Sequence, residues 1–189
     1  MHLTKEIQPQ PHTLEYAMPD KKLKILISED QLQERVQELG ELITKDYRGK
    51  DLTLLIILKG GLIFGADLCR AITIPTYIEF LGVSSYGHEE ESTGIVQITQ
   101  DLKYSIEGRD VLIVEDIVDT GRTMAYLLAN LKTRKPRSIH ACALLNKASK
   151  RCVDGLELAY TGFEIDDHFV IGYGLDDKGL DRNLPYIGY

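Results

Sequence analysis

Val111-Leu112-Ile113-Val114-Glu115-Asp116-Ile117-Val118-Asp119-Thr120-Gly121-Arg122-Thr123 passes from a continuous apolar run, through two acids, into a turn rich in hydroxyl groups. A strand with one wet face alternates apolar and polar residues, so the unbroken run at 111–114 predicts a strand buried on both faces. Residues 122–131 then predict a helix. The same alternation continues in both directions. Upstream, residues 52–58 predict another buried strand, followed by Lys59-Gly60-Gly61 and a helix from Leu62 to about Ile72. Residues 77–83 predict a second strand, and 95–99 a third of more alternating character. Downstream, Pro136 marks a break before a strand at 139–145, and 169–173 is a late strand candidate. Near the start, Ser28 and Gln31 have capping-box spacing. Leu32, Val36, Leu39 and Ile43 repeat at helical intervals, and Gly49 lies just past the end of that helix. The first twenty or so residues, with Pro9, Pro11 and Pro19, read as an arm or short edge strand. Strands alternating with helices give an α/β fold, a mostly parallel central sheet flanked by helices. Ligands of such sheets bind beyond the carboxyl ends of the strands.

The chain has 189 residues, 43% hydrophobic and 27% charged, which is enough for one domain with a sizeable core and marginal for two. That apolar fraction excludes a disordered chain. Lys and Arg number 22 against 29 Asp and Glu, a formal charge of -7. Extended nucleic acid and anionic membrane surfaces call for a basic surplus, so neither is an expected partner. Cys69, Cys142 and Cys152 are odd in number and lack C-x-x-C spacing, which argues against a disulfide framework or a cysteine zinc site. Residues 1–11 contain Lys5 and Glu6 and no apolar core of a signal peptide. The longest strongly apolar run, 52–58, is far short of the roughly 18 residues that span a bilayer. A soluble, cytoplasmic protein is the expectation.

The turn at 119–123 has what a phosphate monoester needs. Backbone N–H groups at a helix N-terminus point outward with a favourable dipole, and Thr120 and Thr123 add hydroxyls. Gly121 lacks the Cβ that would keep an anion off the backbone. Glu115 and Asp116 form a carboxylate pair able to accept hydrogen bonds from a sugar diol or to help hold a cation. Any three of these residues would also suit an ordinary helix cap after an acidic turn; all of them in one register point to a ligand. Other phosphate signatures are absent: there is no G-x-x-x-x-G-K-[ST], and Gly172-Tyr173-Gly174 lacks the third glycine of a dinucleotide fingerprint. No H-E-x-x-H occurs, and the histidines show no metal-ligand spacing.

The segment at 111–123 resembles the phosphoribosyl pyrophosphate loop of the phosphoribosyltransferases, and the chain after the N-terminal arm is similar to their hypoxanthine-guanine branch. Four further stretches carry the resemblance in the family's order. They are Leu58-Lys59-Gly60-Gly61, Ser84-Ser85-Tyr86-Gly87, Leu144-Leu145-Asn146-Lys147, and the span from Phe163-Glu164-Ile165 through Phe169-Val170-Ile171-Gly172-Tyr173-Gly174-Leu175-Asp176. The resemblance implies a type I phosphoribosyltransferase fold in a single domain over 1–189. Residues of about 1–20 would form an arm or hood, and about 160–189 the C-terminal hood and base-binding segment.

The resemblance also implies a reaction: magnesium-dependent transfer of phosphoribose from phosphoribosyl pyrophosphate to hypoxanthine, with guanine as a second substrate, through an oxocarbenium-like transition state. Asp119 is then the general base or proton-holding acid at purine N7, a task suited to a carboxylate whose proton affinity rises beside an anion. Its bland alternative is a helix cap. Thr120, Gly121, Arg122 and Thr123 complete the phosphate loop, with Arg122 where a lysine is often found. Lys59 and Gly60 fall in the pyrophosphate loop, in which the family has a non-proline cis peptide. Arg182 matches a pyrophosphate-binding arginine and otherwise reads as a solvated side chain beside Asp181. Lys147 contacts the exocyclic oxygen of a 6-oxopurine; without the resemblance it is a long cation ending a buried strand, in need of a partner or an exit. Phe169 stacks on the purine and the backbone of Val170 reads its edge, although a strand Phe is more often core. Glu115, Asp116 and Asp176 hold Mg2+, partly through water. Ser85 and Tyr86 belong to the lid over the reacting ribose, and Glu89 to Glu91 within it form a solvated tip.

The family forms dimers and tetramers, so a homo-oligomer is expected. Competing readings are an RNA-binding regulator on the same fold with weak uracil phosphoribosyltransferase activity, a transferase for another base, and a non-catalytic nucleotide-binding module. The regulators carry an apolar or aromatic residue in the place of Asp119 and a basic surface, neither of which this sequence has.

Overall fold

Ser28 starts the first helix, α1 (Glu29–Asp46), with both halves of a capping box in place. Its Oγ accepts from the Gln31 N–H at 3.3 Å, and its own N–H donates to Gln31 Oε1 at 2.9 Å. Two of the N–H groups that a helix start leaves over are thereby used. Ser28→Ala should cost about 1 kcal/mol of stability, read as a lowered midpoint in urea at unchanged slope.

The computed structural model describes residues 23–85 and 96–189. After β1 (Ile25–Ile27) and α1, the chain forms β2 (Leu52–Leu58), α2 (Leu62–Ala71), β3 (Thr76–Ser85), β4 (Val96–Gln100), β5 (Asp110–Val118), α3 (Arg122–Lys132), β6 (Ser138–Asn146), a 3-10 turn at Ala148–Lys150, β7 (Tyr160–Glu164) and β8 (Ile187–Gly188). Six strands make one sheet in the order β4-β3-β2-β5-β6-β7. All neighbours are parallel except β4, which runs antiparallel to β3.

The apolar run of β2 shows why both faces had to be covered. Leu54 and Ile56 join one buried cluster with Leu39 and Ile43 of α1 and Phe64 and Leu68 of α2. Leu55 and Ile57, pointing the other way, join a second cluster with Met124, Leu127 and Leu131 of α3. Each face is dry, which is the environment in which a strand sequence need not alternate. The site-bearing ends of β2, β5, β6 and β7 therefore emerge side by side at the carboxyl edge of a rigid sheet.

A two-stranded antiparallel sheet, β1 with β8, joins the two ends of the described chain. Lys24 and Tyr189 exchange backbone bonds at 2.9 and 3.1 Å beside it. The late strand expected at 169–173 does not form. Gly172, Tyr173 and Gly174 have φ of 98°, 49° and 104°, and no strand continues through three left-handed residues. Ile171 keeps a single bridge to Gly188. The edge of the main sheet beyond β6 is instead β7, and β1, β7 and β8 were not expected from the sequence. The N-terminal arm and the tip at 89–91 lie outside the described residues.

Candidate active site

The phosphate turn is built by disposing of its carbonyl groups. Val118 O accepts from the Lys147 N–H and Thr120 O from the Cys152 N–H, both at 3.0 Å. With those oxygens turned toward the segment after β6, the turn presents N–H groups on its other side. Gly121 caps α3 at φ 84°, ψ -5° and has no side chain to offer. Thr120 Oγ1 accepts from the Arg122 N–H at a long 3.4 Å, and the remaining first-turn N–H groups without an intrahelical acceptor face outward, where an anion can bind. The left-handed φ suits glycine, and a Cβ there would stand 2.7 Å from Arg151 Cδ and 2.8 Å from Leu156 Cδ2. A cavity of about 100 Å³ opens between Glu115, Asp119, Thr120, Gly121 and Thr123. Arg122 is exposed.

Glu115 and Asp116 come from the end of β5. Glu115 is buried and accepts from the Asp116 N–H at 3.3 Å, while Asp116 Oδ1 accepts from the Ile117 N–H at 2.9 Å. Burial, and then the neighbouring charge of Asp116, push the Glu115 carboxyl well above the ordinary carboxylate range. An acid pair with one member buried and the other half-buried favours a proton or a cation nearby. Among the described residues no three His, Cys, Asp or Glu side chains gather to hold a metal. The Glu115–Asp116 carboxylates are hard oxygen donors of the kind magnesium takes in small number, its shell being filled with other oxygens and water.

Gly60 lies directly on that pair. A Cβ built on it would fall 1.6 Å from Asp116 Oδ2. The non-proline cis bond of this loop is Leu58–Lys59, at the strand-to-loop joint and one peptide before Lys59–Gly60. The C-terminal segment reaches the same loop, since a Cβ on Gly174 would be 2.2 Å from Gly60 O. Arg182 donates through NH1 to Gly174 O at 2.6 Å and through NH2 to Asp176 Oδ1 at 2.6 Å. Asp176 Oδ2 accepts from the Gly179 N–H at 2.6 Å. The residues matched to pyrophosphate and to the second metal ligand are thus ion-paired with each other beside Gly60.

Lys147 follows β6, and its ammonium is enclosed, the side chain being 8% exposed. Nζ lies 4.0 Å from Asp119 Oδ2 and 3.3 Å from Asp167 Oδ1. Asp119 Oδ1 is buried and has no hydrogen-bond partner among the described residues, which leaves a carboxylate oxygen ready to receive a donor. Phe169, two residues beyond Asp167, is 69% exposed and not core, while Val170 is buried. Ser85 ends β3, and Tyr86 lies outside the described residues.

The structure brings Asp119 to Lys147 and Gly60 to Asp116, pairs that lie far apart in sequence. Asp167 and Lys150, whose Nζ is 2.8 Å from Asp167 Oδ1, were missed by sequence reasoning. The signal for them was indirect: a buried lysine demands an acceptor, and an acid stands two residues before Phe169.

A family model for the phosphoribosyl transferase domain matches residues 28–178. A hypoxanthine-guanine phosphoribosyltransferase of Mycobacterium avium is 49% identical over 170 residues, covering 87% of this chain and 83% of that protein. A crystal structure of a hypoxanthine phosphoribosyltransferase from Staphylococcus aureus superposes with a TM-score of 0.83 at 47% identity, over 87% of this chain and 89% of that one. The hypoxanthine phosphoribosyltransferase of Trypanosoma cruzi, in complex with the product IMP, gives 0.80 at 41% identity over 87% and 92%.

Proposed function

This chain belongs to the phosphoribosyl transferase domain family, and from that premise we propose that it moves the 5-phosphoribosyl group of phosphoribosyl pyrophosphate to hypoxanthine and guanine, giving IMP and GMP for purine salvage. The observation that carries the reading is the juxtaposition of Asp119 and Lys147, 4.0 Å apart, with the phosphate turn on one side and the exposed Phe169 downstream. A base donor, a proton acceptor and an anion seat then share one wall.

The 5-phosphate sits on the N–H groups at the start of α3 and on the hydroxyls of Thr120 and Thr123. Glu115 and Asp116 accept from the ribose diol, and with Asp176 they would hold Mg2+. Bound magnesium offsets the charge of the departing pyrophosphate. Lys59, the Gly60 loop and Arg182 bind the pyrophosphate, and Arg182 must share or leave Asp176 to do so. Phe169 stacks on the purine, the Val170 backbone meets its edge, and Lys147 donates to the exocyclic oxygen. Purine N9 then forms its bond to the anomeric carbon as the bond from that carbon to the pyrophosphate oxygen breaks. The proton on N7 passes to Asp119, whose unpartnered Oδ1 is the available acceptor. We place Ser85 and Tyr86 in the segment that covers the ribose, and the whole of 1–189 in one domain with its terminal segments forming the hood.

The test is a panel of hypoxanthine, guanine, xanthine, adenine and uracil, each with phosphoribosyl pyrophosphate and magnesium. IMP and GMP should form with equimolar pyrophosphate; UMP alone, with RNA binding, would replace this reading by the regulator. Lys147→Ala should weaken the preference for hypoxanthine over adenine by about 10- to 100-fold, the worth of one hydrogen bond from a charged donor. Direct competition between the two bases measures it, and unchanged selectivity removes the assignment. No helix among the described residues is long and apolar enough to cross a membrane, and we place the enzyme in the cytoplasm as a homo-oligomer.

A further inference from the structure

An ammonium taken out of water is drawn to the nearest carboxylate. Left with Asp119 alone, Lys147 would close its 4.0 Å gap into a contact ion pair. That pair would occupy both the acid that has to receive a proton and the donor that has to meet the purine oxygen. Asp167 is a competing acceptor, and at 3.3 Å it is the nearer of the two. Its own grip is divided. Lys150 Nζ stands 2.8 Å from the same oxygen, and Lys150 is the first cause, ahead of Lys147, of an Asp167 carboxyl held below the usual carboxylate range. The two lysines belong to one turn, in which the Lys150 N–H donates to Lys147 O at 3.0 Å. Asp167 enters from the segment that carries Phe169. The arrangement gives a buried lysine an acceptor that is close enough to hold it and too shared to capture it.

We propose that Asp167 is a positioning residue for base recognition: it holds the Lys147 ammonium off Asp119, so that the lysine stays available to the exocyclic oxygen of a 6-oxopurine and Asp119 stays available to the N7 proton. Lys150 limits how tightly Asp167 holds. The proposal rests on the phosphoribosyltransferase reading of the site.

Steady-state kinetics on five proteins test it: wild type, Asp167→Asn, Asp167→Glu, and Asp119→Asn with and without Asp167→Asn. Asp167→Asn should raise the KM for hypoxanthine about tenfold, a fraction of a charged hydrogen bond, while the KM for phosphoribosyl pyrophosphate changes by less than about twofold. Asp167→Glu should recover most of the loss. In the Asp119→Asn background the same substitution should raise the hypoxanthine KM by less than about threefold, because no carboxylate remains for Lys147 to collapse upon. Asp167 is half exposed, and the melting temperature of each variant should match wild type to within the effect of a surface change. An equal penalty in the two backgrounds, an equal rise in both KM values, or an unchanged hypoxanthine KM overturns the proposal. A wild type that turns over no 6-oxopurine overturns the underlying reading and this proposal with it; a competent wild type with an insensitive Asp167→Asn overturns the proposal alone.

Discussion

Asp119→Asn should lower kcat for hypoxanthine by about 10²–10⁴ with the fold intact, the span over which a positioned proton acceptor contributes. Asparagine keeps the shape of the side chain and one carbonyl oxygen, so the wall of the phosphate turn survives. It loses the capacity to take a proton, and it loses the charge that faces Lys147 at 4.0 Å. The buried Oδ1 has no partner within the described protein, so its replacement breaks no internal hydrogen bond and stability should hardly move. The measurement is turnover at saturating substrates beside a thermal melt. Turnover close to wild type would remove Asp119 from the chemistry.

Gly60→Ala should raise the KM for phosphoribosyl pyrophosphate and reduce kcat/KM by about 10² or more, since displacements near 1 Å at a reacting site cost that much. The added methyl would stand 1.6 Å from Asp116 Oδ2 and 2.4 Å from its Cγ. The carboxylate can swing aside, but that takes it from the Ile117 N–H it now accepts at 2.9 Å and out of line with Glu115. Alternatively the loop lifts, and the pyrophosphate seat moves with it. Either way the protein folds and the site is misplaced, so an unaltered melt with impaired phosphoribosyl pyrophosphate kinetics is the expected pair of results. Unchanged kinetics would show that the loop has room that its geometry denies.

What could be read from sequence follows from how local the determinant is. The capping box of Ser28 and Gln31 spans four positions, and the apolar runs of β2 and β5 announce burial on both faces by themselves. The strand-to-turn-to-helix passage at 111–123 is also contiguous, so its geometry was legible. β1 and β8 were not, because strands of three and two residues exist only through each other, and the pairing of Ile25 with Gly188 crosses nearly the whole chain. β7 is an edge strand of five residues with a glycine at its centre, too short to show a period. At 169–173 the apolar content misled; the glycines flanking Tyr173 were the better signal, and they mark a left-handed stretch that no strand can contain. Within the site, the pairing of Asp176 with Arg182 depends on a turn whose closure composition does not disclose. The Asp167–Lys147 contact could be inferred only as a need, because a buried cation requires an acceptor without naming it.

Two backbone hydrogen bonds, from Lys147 to Val118 and from Cys152 to Thr120, fasten the segment bearing Lys147 to the turn at 119–123. Main chain bound to main chain does not stretch, so the site acts as a gauge of fixed span. On the proposed reading, that span is the separation between a base at Lys147 and a terminal phosphate at the turn. A molecule that joins a 6-oxopurine to a phosphate through a bridge of the wrong length can satisfy one end only. Under the proposed function, selectivity for a nucleoside monophosphate skeleton would in this sense belong to the sheet edge as much as to any side chain.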